Sequence, residues 1–355
     1  MSKIISLPGL IDVHTHLREP GATQKEDFET GTKAAIAGGY TAILDMPNNP
    51  EPTITPEAVD KKISLANGRI YCDVGFNFGG TLESSKYFDQ IKTKVMALKV
   101  YMNHTTGTLL QEDPHALQTI FERWPKQRVL IVHAEKDKLA LAIKLAKRNG
   151  NRLHVAHVAL AEDINRIRKA KTEGLPITCE VTCHHLFLTN ADTKRLGPFG
   201  QMKPDLGMKQ DQNALWKAIS DGTMDIIAQD HAPHTIAEKK SEKPPHGVPG
   251  LETALPLLLT AVKEDRLTIE KLIELTNTNP RKIFNIPQQE DTFVEIDMEE
   301  KYRIDSNNLY TKCGWTPFEG VEVKGKIKKV ALRGKVVFEN GKISGLFGKI
   351  MFPAN

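Results

Sequence analysis

The sequence predicts an α/β fold, a (β/α)8 barrel of the TIM type with a small β appendage. Between residue 10 and about residue 265, short apolar strand-like runs alternate with amphipathic stretches of helical period. This alternation repeats about eight times in about 250 residues, which is the rhythm and length of such a barrel. Beyond Asn279-Pro280 the pattern changes to β-rich segments separated by turns. The first two observations predict the barrel, and the third predicts the appendage.

The barrel strands are expected where apolar, β-branched residues cluster. In chain order they are Leu10–His16, Thr41–Met46, Tyr71–Phe78, Val95–Met102, Arg128–Glu135, Arg152–Ala159, Pro176–Cys183 and Asp225–Asp230. Helices are expected between them, among them Glu26–Ala37, Pro56–Ala66, Lys136–Lys147, Ala161–Lys171 and Lys209–Ser220. A doubly wound open sheet is the alternative, but no Gly-rich phosphate loop follows the first strand.

The appendage is predicted from Asp291–Ile296, Val321–Val330 and Lys335–Gly345, with a turn at Asn340-Gly341. We expect the first few residues to join it, so that residues 8–285 form the barrel and residues 1–7 and 286–355 the appendage. Three loops are long enough to bind or cover a ligand: 104–113, 183–225 and 233–249. The first carries small polar residues at 105–108, which suit a mobile flap.

Composition narrows the function classes. The 355 residues are 40% hydrophobic and 26% charged, as in globular proteins, and no apolar run is long enough for a membrane span. Strand-like sequence begins within a few residues of the N-terminus, so we expect no signal peptide. The cysteines (Cys72, Cys179, Cys183 and Cys313) form no close CxxC pair, which favours reduced thiols and the cytoplasm. A net charge of +4 without a dense basic block argues against nucleic acid as a partner and is compatible with a small anionic substrate.

Two histidines stand at the end of the first predicted strand. Residues two apart in a strand point to the same face, so His14 and His16 project side by side. Neutral imidazoles in this arrangement can ligate a divalent metal, and Zn²⁺ is the first expectation. Two ordinary loop histidines are the alternative, and a lone His-x-His does not decide between them. Further histidines, a lysine and an aspartate at later strand ends favour the metal.

Lys99 lies inside the apolar run Val95–Tyr101 of the fourth predicted strand. A bare ammonium is costly to bury, so this amine is either paired, neutral or modified, or it reaches solvent from an exposed strand face. The functional interpretation is a carbamate, formed when the amine takes up carbon dioxide. A carbamate is anionic, like a carboxylate, and can bridge two metals.

His133 and His157 end apolar strands in successive units, and Asp230 ends the last predicted strand. A carboxylate there can bind a metal and carry a proton, although a turn cap is the alternative. His154 has the opposite parity from His157, so we interpret it as structural. The candidate set, drawn from five strands, is His14, His16, Lys99, His133, His157 and Asp230.

The chain resembles the amidohydrolase superfamily, and most closely the dihydroorotases. The segments that carry the resemblance are PGLIDVHTHLREPG (8–21), DMPNN (45–49), LKVYMN (98–103), VHAE (132–135), HVAHVA (154–159) and QDHAPH (229–234). Further matches are CHHLFLT (183–189), PGLETALPLLLTAV (249–262) and WTPFEG (315–320). The resemblance covers nearly the whole chain and is nearest to the dihydroorotase domain of the animal multifunctional pyrimidine-synthesis protein.

The resemblance implies a cyclic amide hydrolase with two divalent metal ions, for which Zn²⁺ is expected. His14 and His16 would hold the more buried metal, and His133 and His157 the second. Carboxylated Lys99 and a hydroxide would bridge the two metals, and the hydroxide would be the nucleophile. Asp230 would bind the first metal and act as general acid and base.

The resemblance also implies a set of substrate ligands. Arg18 and Asn48, helped by His234, would hold the α-carboxylate of the substrate, which the planar guanidinium fork of arginine suits. Lys203 stands where the animal domain has an arginine. It keeps the positive charge but lacks the planar guanidinium that binds a carboxylate through two hydrogen bonds. Thr105 and Thr106 would lie on the flap, which lacks an aromatic residue of the animal domain.

A third metal site is not favoured by this sequence. The animal domain has a cysteine just before the histidine that corresponds to His157, and here that residue is Ala156. Glu180, the other residue of that site, is therefore expected to accept a hydrogen bond from a ligating histidine instead.

The implied reaction is the reversible cyclisation of N-carbamoyl-L-aspartate to (S)-dihydroorotate in pyrimidine biosynthesis. A hydantoinase or allantoinase is one alternative, although a neutral ring has no carboxylate for Arg18 to bind. A non-catalytic scaffold is another, although no ligand position is lost. The expected partners are a second copy of the chain in a homodimer and other enzymes of the pyrimidine pathway.

Overall fold

A computed structural model describes residues 3–354. Its strands are β1 (Ile4–Pro8), β2 (Leu10–Thr15), β3 (Tyr40–Asp45), β4 (Asp73–Phe76), β5 (Phe78–Gly79), β6 (Leu98–Tyr101), β7 (Val129–His133), β8 (Arg152–Val155), β9 (Ile177–Thr182), β10 (Ile226–Ala228), β11 (Phe293–Arg303), β12 (Glu322–Leu332), β13 (Lys335–Glu339) and β14 (Lys342–Ile343).

The α-helices follow the barrel strands. They are α1 (Phe28–Ala37), α2 (Pro56–Ala66), α3 (Phe88–Ile91), α4 (Pro114–Arg123), α5 (Lys136–Asn149), α6 (Ala161–Thr172), α7 (Cys183–Phe187), α8 (Asn190–Leu196), α9 (Lys209–Ser220), α10 (Ile236–Lys239), α11 (Leu251–Lys263), α12 (Ile269–Ile273) and α13 (Asn279–Phe284). Short helical turns of other types lie at Ser84–Tyr87, Gly197–Gly200, Glu274–Thr278 and Ser306–Asn308.

The predicted barrel is confirmed. Parallel pairing joins β2, β3 and β4 in one sheet and β5 to β10 in another. The gap between the sheets is bridged by the amide of Met96, which donates to the carbonyl of Phe76 over 2.8 Å. On the other side, the amide of His16 donates to the carbonyl of His231 over 2.8 Å. These bonds close the ring, so all the strands end at one face.

Most barrel strands are a few residues shorter than predicted, and one of them is interrupted. The sequence predicts a continuous strand over Tyr71–Phe78, but the structure divides it into β4 and β5 at Asn77. The reason is that the two parts pair with different neighbours: β4 with β3, and β5 with β6. The division lets one strand position serve both sheets of the barrel.

The helices begin and end where local chemistry favours it. The side chain of Asp27 caps α1 by accepting from the amide of Thr30 over 2.8 Å, and Thr55 caps α2 just before Pro56. Gly150 follows the last residue of α5 and caps the helix. Its positive φ of 71° is one that glycine tolerates without strain. Capping groups satisfy backbone amides and carbonyls that a helix end leaves without partners.

The appendage is an antiparallel sheet in the order β1, β11, β12, β13, β14. The N-terminal strand therefore joins the C-terminal strands, and Asn340 and Gly341 form the turn of the last hairpin, both with positive φ. The tail beyond this sheet returns to the barrel, where the amide of Met351 donates to the carbonyl of Val74 over 2.8 Å. Met351 is buried among apolar residues that include side chains of the barrel strands. The division at residues 8–285 remains a prediction.

No helix within residues 3–354 is both long enough and apolar enough to cross a membrane. Over the same residues, all four cysteines are buried and none is in a disulfide.

A buried ion pair lies beside the first two barrel strands. Nζ of Lys62 on α2 donates to the carboxylate of Asp45 at the end of β3, and both side chains are fully buried. The same amine donates to the carbonyl of Met46 over 2.9 Å, and Asp45 accepts from the amide of Leu17 over 2.8 Å. Burial raises the pKa of Asp45 and lowers the pKa of Lys62, so each charge depends on the other.

Replacing Lys62 with methionine should strongly destabilise the fold, because it leaves the Asp45 carboxylate buried and unpaired. We expect the free energy of unfolding to fall by about 3–5 kcal/mol. Urea unfolding monitored by circular dichroism measures it. The control is Lys61→Met on the same helix, where the lysine is half exposed and pairs with Glu51, and the expected loss is below about 1 kcal/mol. Equal losses for the two variants would contradict the interpretation.

Candidate metal centre and substrate pocket

Four titratable side chains meet at the carboxyl ends of the barrel strands: His14, His16, His157 and Asp230. The His14 and His16 rings lie side by side with their centroids 5.4 Å apart. Oδ1 of Asp230 lies 3.0 Å from Nε2 of His16 and 3.4 Å from Nε2 of His14. Possible ligand atoms of His14, His157 and Asp230 all lie within 4.8 Å of one another. The structure therefore brings together residues from opposite ends of the barrel sequence.

The other half of the cluster comes from the middle strands. Nδ1 of His133 lies 2.8 Å from Nε2 of His157, and their ring centroids are 4.5 Å apart. Lys99 on β6 is fully buried, so it is not a strand lysine that reaches solvent. Its amine is close enough to His133 to lower the pKa of that ring. All six residues predicted as metal ligands thus lie at one end of the barrel.

Three nitrogen atoms in this cluster are buried without a hydrogen-bond partner in the part of the chain that the structure describes. They are Nζ of Lys99, Nε2 of His133 and Nδ1 of His157. A buried polar atom without a partner costs about 1–3 kcal/mol, so proteins rarely leave several together. Metal ligation through imidazole nitrogens, with a modified lysine amine, would give each of these atoms a partner. The donor set therefore fits a divalent metal centre.

Protonation at neutral pH also suits metal ligation. Burial lowers the pKa of His16 to about 4 and that of His133 to about 3, so both rings are neutral and keep a free lone pair. Burial lowers the pKa of Lys99 to about 8, which leaves a fraction of the amine neutral, the form that reacts with carbon dioxide. Burial alone would raise the pKa of Asp230, but His14 and His16 hold it well below its usual range.

Glu180 on β9 forms hydrogen bonds to residues of the cluster and to His154 beside it. It lies within hydrogen-bond distance of Nδ1 of His14, and its Oε1 accepts from the amide of His157 over 3.2 Å. Its Oε2 is 3.0 Å from Nε2 of His154, whose Nδ1 is 2.8 Å from the hydroxyl of Thr178. Both nitrogens of His154 therefore have partners, which agrees with its predicted structural role. Glu180 orients His14 so that Nε2 faces Asp230.

The backbone at the site is locally strained. Arg18, His157 and Asp230 have φ values of 63°, 35° and 44°, in the left-handed region that residues other than glycine seldom adopt. Each such residue costs of order 1–3 kcal/mol, which the surrounding structure must supply. Each of these residues closely follows a barrel strand, so the strained turn directs its side chain into the barrel mouth.

A cavity of about 100 Å³ opens beside the cluster and is lined by His16, Arg18, Lys25, Asn48 and Thr106, among others. Oδ1 of Asn48 is 2.8 Å from Nδ1 of His16, and its amide nitrogen donates to the carbonyl of Thr106 over 2.9 Å. A larger groove of about 600 Å³ lies between α11 and the appendage, and none of the predicted site residues lines it. The chemistry favours the smaller cavity, because it adjoins the cluster.

Arg18, which lines this cavity, contacts His234. Nε of Arg18 donates to the carbonyl of Pro233 over 3.1 Å, and its Nη2 lies 3.2 Å from Nε2 of His234. Thr106 donates to the carbonyl of His246 over 3.3 Å, so the predicted flap touches the loop 233–249. Thr105 is partly exposed on the same flap. Lys203 does not line the cavity and instead pairs with Asp205 over 2.9 Å.

Known proteins share this architecture over nearly its whole length. The sequence model described as "Amidohydrolase family" matches residues 5–337. The chain belongs to the amidohydrolase family.

Curated relatives of this amidohydrolase include a multifunctional protein and a dihydroorotase. It is 46% identical over 345 residues to the "Multifunctional protein CAD" of Squalus acanthias, an alignment that covers 96% of this chain and 15% of that protein. It is 35% identical over 365 residues to a "Dihydroorotase" of Pyrococcus furiosus, covering 96% of this chain and 83% of that protein. The chain thus spans about 15% of the length of the first curated relatives it matches. The resemblance expected from the sequence is confirmed.

A solved structure shares the fold of this amidohydrolase. The L-hydantoinase (dihydropyrimidinase) from Arthrobacter aurescens has a TM-score of 0.93 at 25% identity, covering 98% of this chain and 89% of that one. This fold is therefore also that of a hydantoinase, so the fold alone does not decide the activity.

Sequence reasoning missed two residues of the amidohydrolase site. Nζ of Lys25 lies 3.3 Å from Nδ1 of His234. Lys25 does not lie at the end of a strand, so its position in the sequence did not indicate a site residue. The indole nitrogen of Trp315 donates to the carbonyl of His234 over 2.7 Å. The segment around Trp315 carried part of the resemblance, but nothing in the sequence placed it beside His234. Only long-range packing brings these residues to the site.

Replacing Glu180 with glutamine should weaken metal retention, because one buried imidazole then faces an amide donor instead of a carboxylate acceptor. We expect the affinity for a divalent metal to fall by about 10- to 100-fold. Metal content after dialysis against graded chelator concentrations measures it. The control is Glu173→Gln, in which an exposed glutamate paired with Lys147 is changed. Identical metal retention in the two variants would contradict the supporting role of Glu180.

Proposed function

We propose that this protein is a dihydroorotase, catalysing the reversible cyclisation of N-carbamoyl-L-aspartate to (S)-dihydroorotate with loss of water. The observation that carries the proposal is one shared cavity. Its wall includes His16, from the buried histidine cluster, together with the carboxylate-binding candidates Arg18 and Asn48. A site that combines hydrolytic metal ligands with a buried arginine suits a cyclic amide that carries a carboxylate. The match to a curated dihydroorotase over most of both chains supports the same activity.

Two divalent metals are proposed at the cluster. His14, His16 and Asp230 would hold the more buried ion, and His133 and His157 the second. Carboxylated Lys99 is proposed as the bridge, since its buried amine has no partner among the described residues. Bound there, such metals lower the pKa of water and polarise an amide carbonyl. We propose Zn²⁺, which suits the imidazole and carboxylate ligands.

Side chains of this protein are proposed to transfer the proton and to bind the substrate. In the hydrolytic direction, Asp230 takes a proton from the attacking water and delivers it to the ring nitrogen as the C–N bond breaks. Arg18 and Asn48, helped by His234, bind the α-carboxylate and hold the ring over the cluster. Thr105 and Thr106 cover the bound substrate and exclude water. Lys203 is proposed as an outer ligand, which must leave Asp205 to reach the substrate.

A hydantoinase or allantoinase is the second candidate, favoured by the fold shared with a solved hydantoinase. Arg18 argues against it, because its burial costs free energy that a neutral ring cannot offset with an ionic contact. A non-catalytic scaffold would have no need of the buried cluster. We further propose a homodimer, association with other pyrimidine-pathway enzymes and a cytoplasmic location, in keeping with the multifunctional relative.

Arg18→Met should separate the two candidate activities. The wild type should hydrolyse dihydroorotate faster than hydantoin. The variant should lose about tenfold or more in kcat/KM for dihydroorotate, because the charged fork no longer meets the carboxylate, while its slow turnover of hydantoin stays the same. Steady-state kinetics on both substrates measure this. Arg148→Met, exposed on α5, is the control. Faster wild-type turnover of hydantoin than of dihydroorotate would favour the hydantoinase.

Lys99→Ala should remove both metal and activity. We expect about two metals per chain in the wild type and fewer in the variant, with activity falling by more than the roughly 10- to 100-fold typical of an outer partner. Elemental analysis and dihydroorotate hydrolysis on the same samples measure both quantities, and a thermal melt checks folding. Lys94→Ala changes an exposed lysine paired with Asp60 and serves as the control. Unchanged metal content and activity would show that Lys99 is not a bridge.

A further inference from the structure

Lys25 occupies a position that none of the roles above explains. It lies between the Arg18 turn and α1, lines the substrate cavity, and places its amine 3.3 Å from Nδ1 of His234. The amine also pairs with Glu238 on α10 over 2.9 Å. Lys25 therefore joins the cavity wall to the loop that carries His234.

The contacts of His234 decide its tautomer. Nε2 lies 3.0 Å from the carbonyl oxygen of His246, which can only accept, so Nε2 must carry a hydrogen and donate. Burial, with Arg18 and Lys25 nearby, holds the pKa of His234 below its usual range, so the ring is neutral. Nδ1 is then the bare nitrogen, and it accepts from the Lys25 amine.

This tautomer leaves a donor of Arg18 without an acceptor. Nη2 of Arg18 lies 3.2 Å from Nε2 of His234, whose single hydrogen already goes to the carbonyl of His246, so the ring cannot accept from the guanidinium. A guanidinium donor left free beside a cavity is satisfied by an anionic acceptor. Positive charge on Arg18 and Lys25 adds to this preference. It is opposed by the carboxylates of Asp230, Asp45 and Glu238, of which Asp45 already pairs with Lys62.

We propose that Lys25 is a positioning and specificity-determining residue, which fixes the Nε2–H tautomer of His234 and makes this end of the cavity select anionic cyclic amides. The inference rests on the proposed function for the identity of the anion. Lys25 acts through His234 and is not itself a catalytic residue.

Without the lysine amine, only the carbonyl of His246 still favours the Nε2–H tautomer, and the other tautomer becomes accessible. Oε2 of Glu238 lies 3.8 Å from Nδ1 of His234, close enough to accept from a protonated Nδ1 after a small shift. Nε2 would then be bare and would accept from Arg18. The Arg18 donor would then be occupied by His234 and would no longer be free for the substrate carboxylate.

The first test observes the tautomer directly. Protein with ¹⁵N-labelled histidine is compared as wild type, Lys25→Met and Lys25→Arg by two-bond ¹⁵N–¹H correlation spectra, with His234 assigned by the signal lost in His234→Gln. We expect Nε2–H in the wild type and in Lys25→Arg, and a population of Nδ1–H in Lys25→Met. Lys33→Met, which changes a half-buried lysine of α1 paired with Glu29, is the control and should match the wild type.

The second test measures steady-state kinetics with dihydroorotate. Lys25→Met should raise KM by about tenfold and change kcat by less than about twofold, because binding is lost and the reacting atoms are untouched. Lys25→Arg should restore KM, and Lys33→Met should leave it unchanged. A general loss of stability would instead lower kcat through the fraction of folded enzyme, leave KM unchanged and leave the tautomer in place.

The two arms separate the inference from the function on which it rests. Wild-type protein that fails to turn over dihydroorotate would refute the proposed function, and the spectra would still decide the role of Lys25. An unchanged tautomer together with an unchanged KM in Lys25→Met would overturn the inference while the dihydroorotase activity stands. A changed tautomer with an unchanged KM would overturn the claim of specificity.

Discussion

The hydrogen bond from the amide of His16 to the carbonyl of His231 closes the barrel, and the whole site depends on that closure. It ties the turn after the first barrel strand to the turn after the last. Gln229 strengthens the junction, because its backbone amide donates to the carboxyl group of Asp12 over 2.9 Å. Because the strands are parallel, closing the ring forces their carboxyl ends into one mouth. His14 and Asp230 become neighbours only through this junction.

The mouth concentrates groups that are expensive to bury. A lysine amine, several imidazoles and a carboxylate lie there with almost no solvent contact, and positive φ values at His157 and Asp230 add strain. The apolar core around the barrel supplies the stability that makes this arrangement tolerable. Glu180 reduces the cost by accepting from three groups at once. The arrangement is understandable as a site prepared for metal, since ligation would satisfy the remaining nitrogens.

The anion-binding end is held by segments far from it in the sequence. Trp315, in the connection between β11 and β12, donates to the carbonyl of His234 and lies over the amine of Lys239 at 5.5 Å. That amine in turn donates to three backbone carbonyls, including Gly247 over 3.2 Å. The loop 233–249 is therefore fixed from two sides. The appendage thus contributes to the substrate end of the site, although it supplies no predicted ligand.

The hydrophobic pattern of the sequence is enough to predict the barrel, the order of its elements and the strand ends at which the site residues stand. Hydrophobic period separates strands from helices, and the parallel arrangement sends every strand end to one face, so the sequence pattern alone groups His14, Lys99 and Asp230. Three features are visible only in the tertiary structure. They are the separation of β4 from β5 at Asn77, the pairing of Lys62 with Asp45 and the contact of Lys25 with His234. These features depend on distances between segments far apart in the chain, and local periodicity carries no information about such distances.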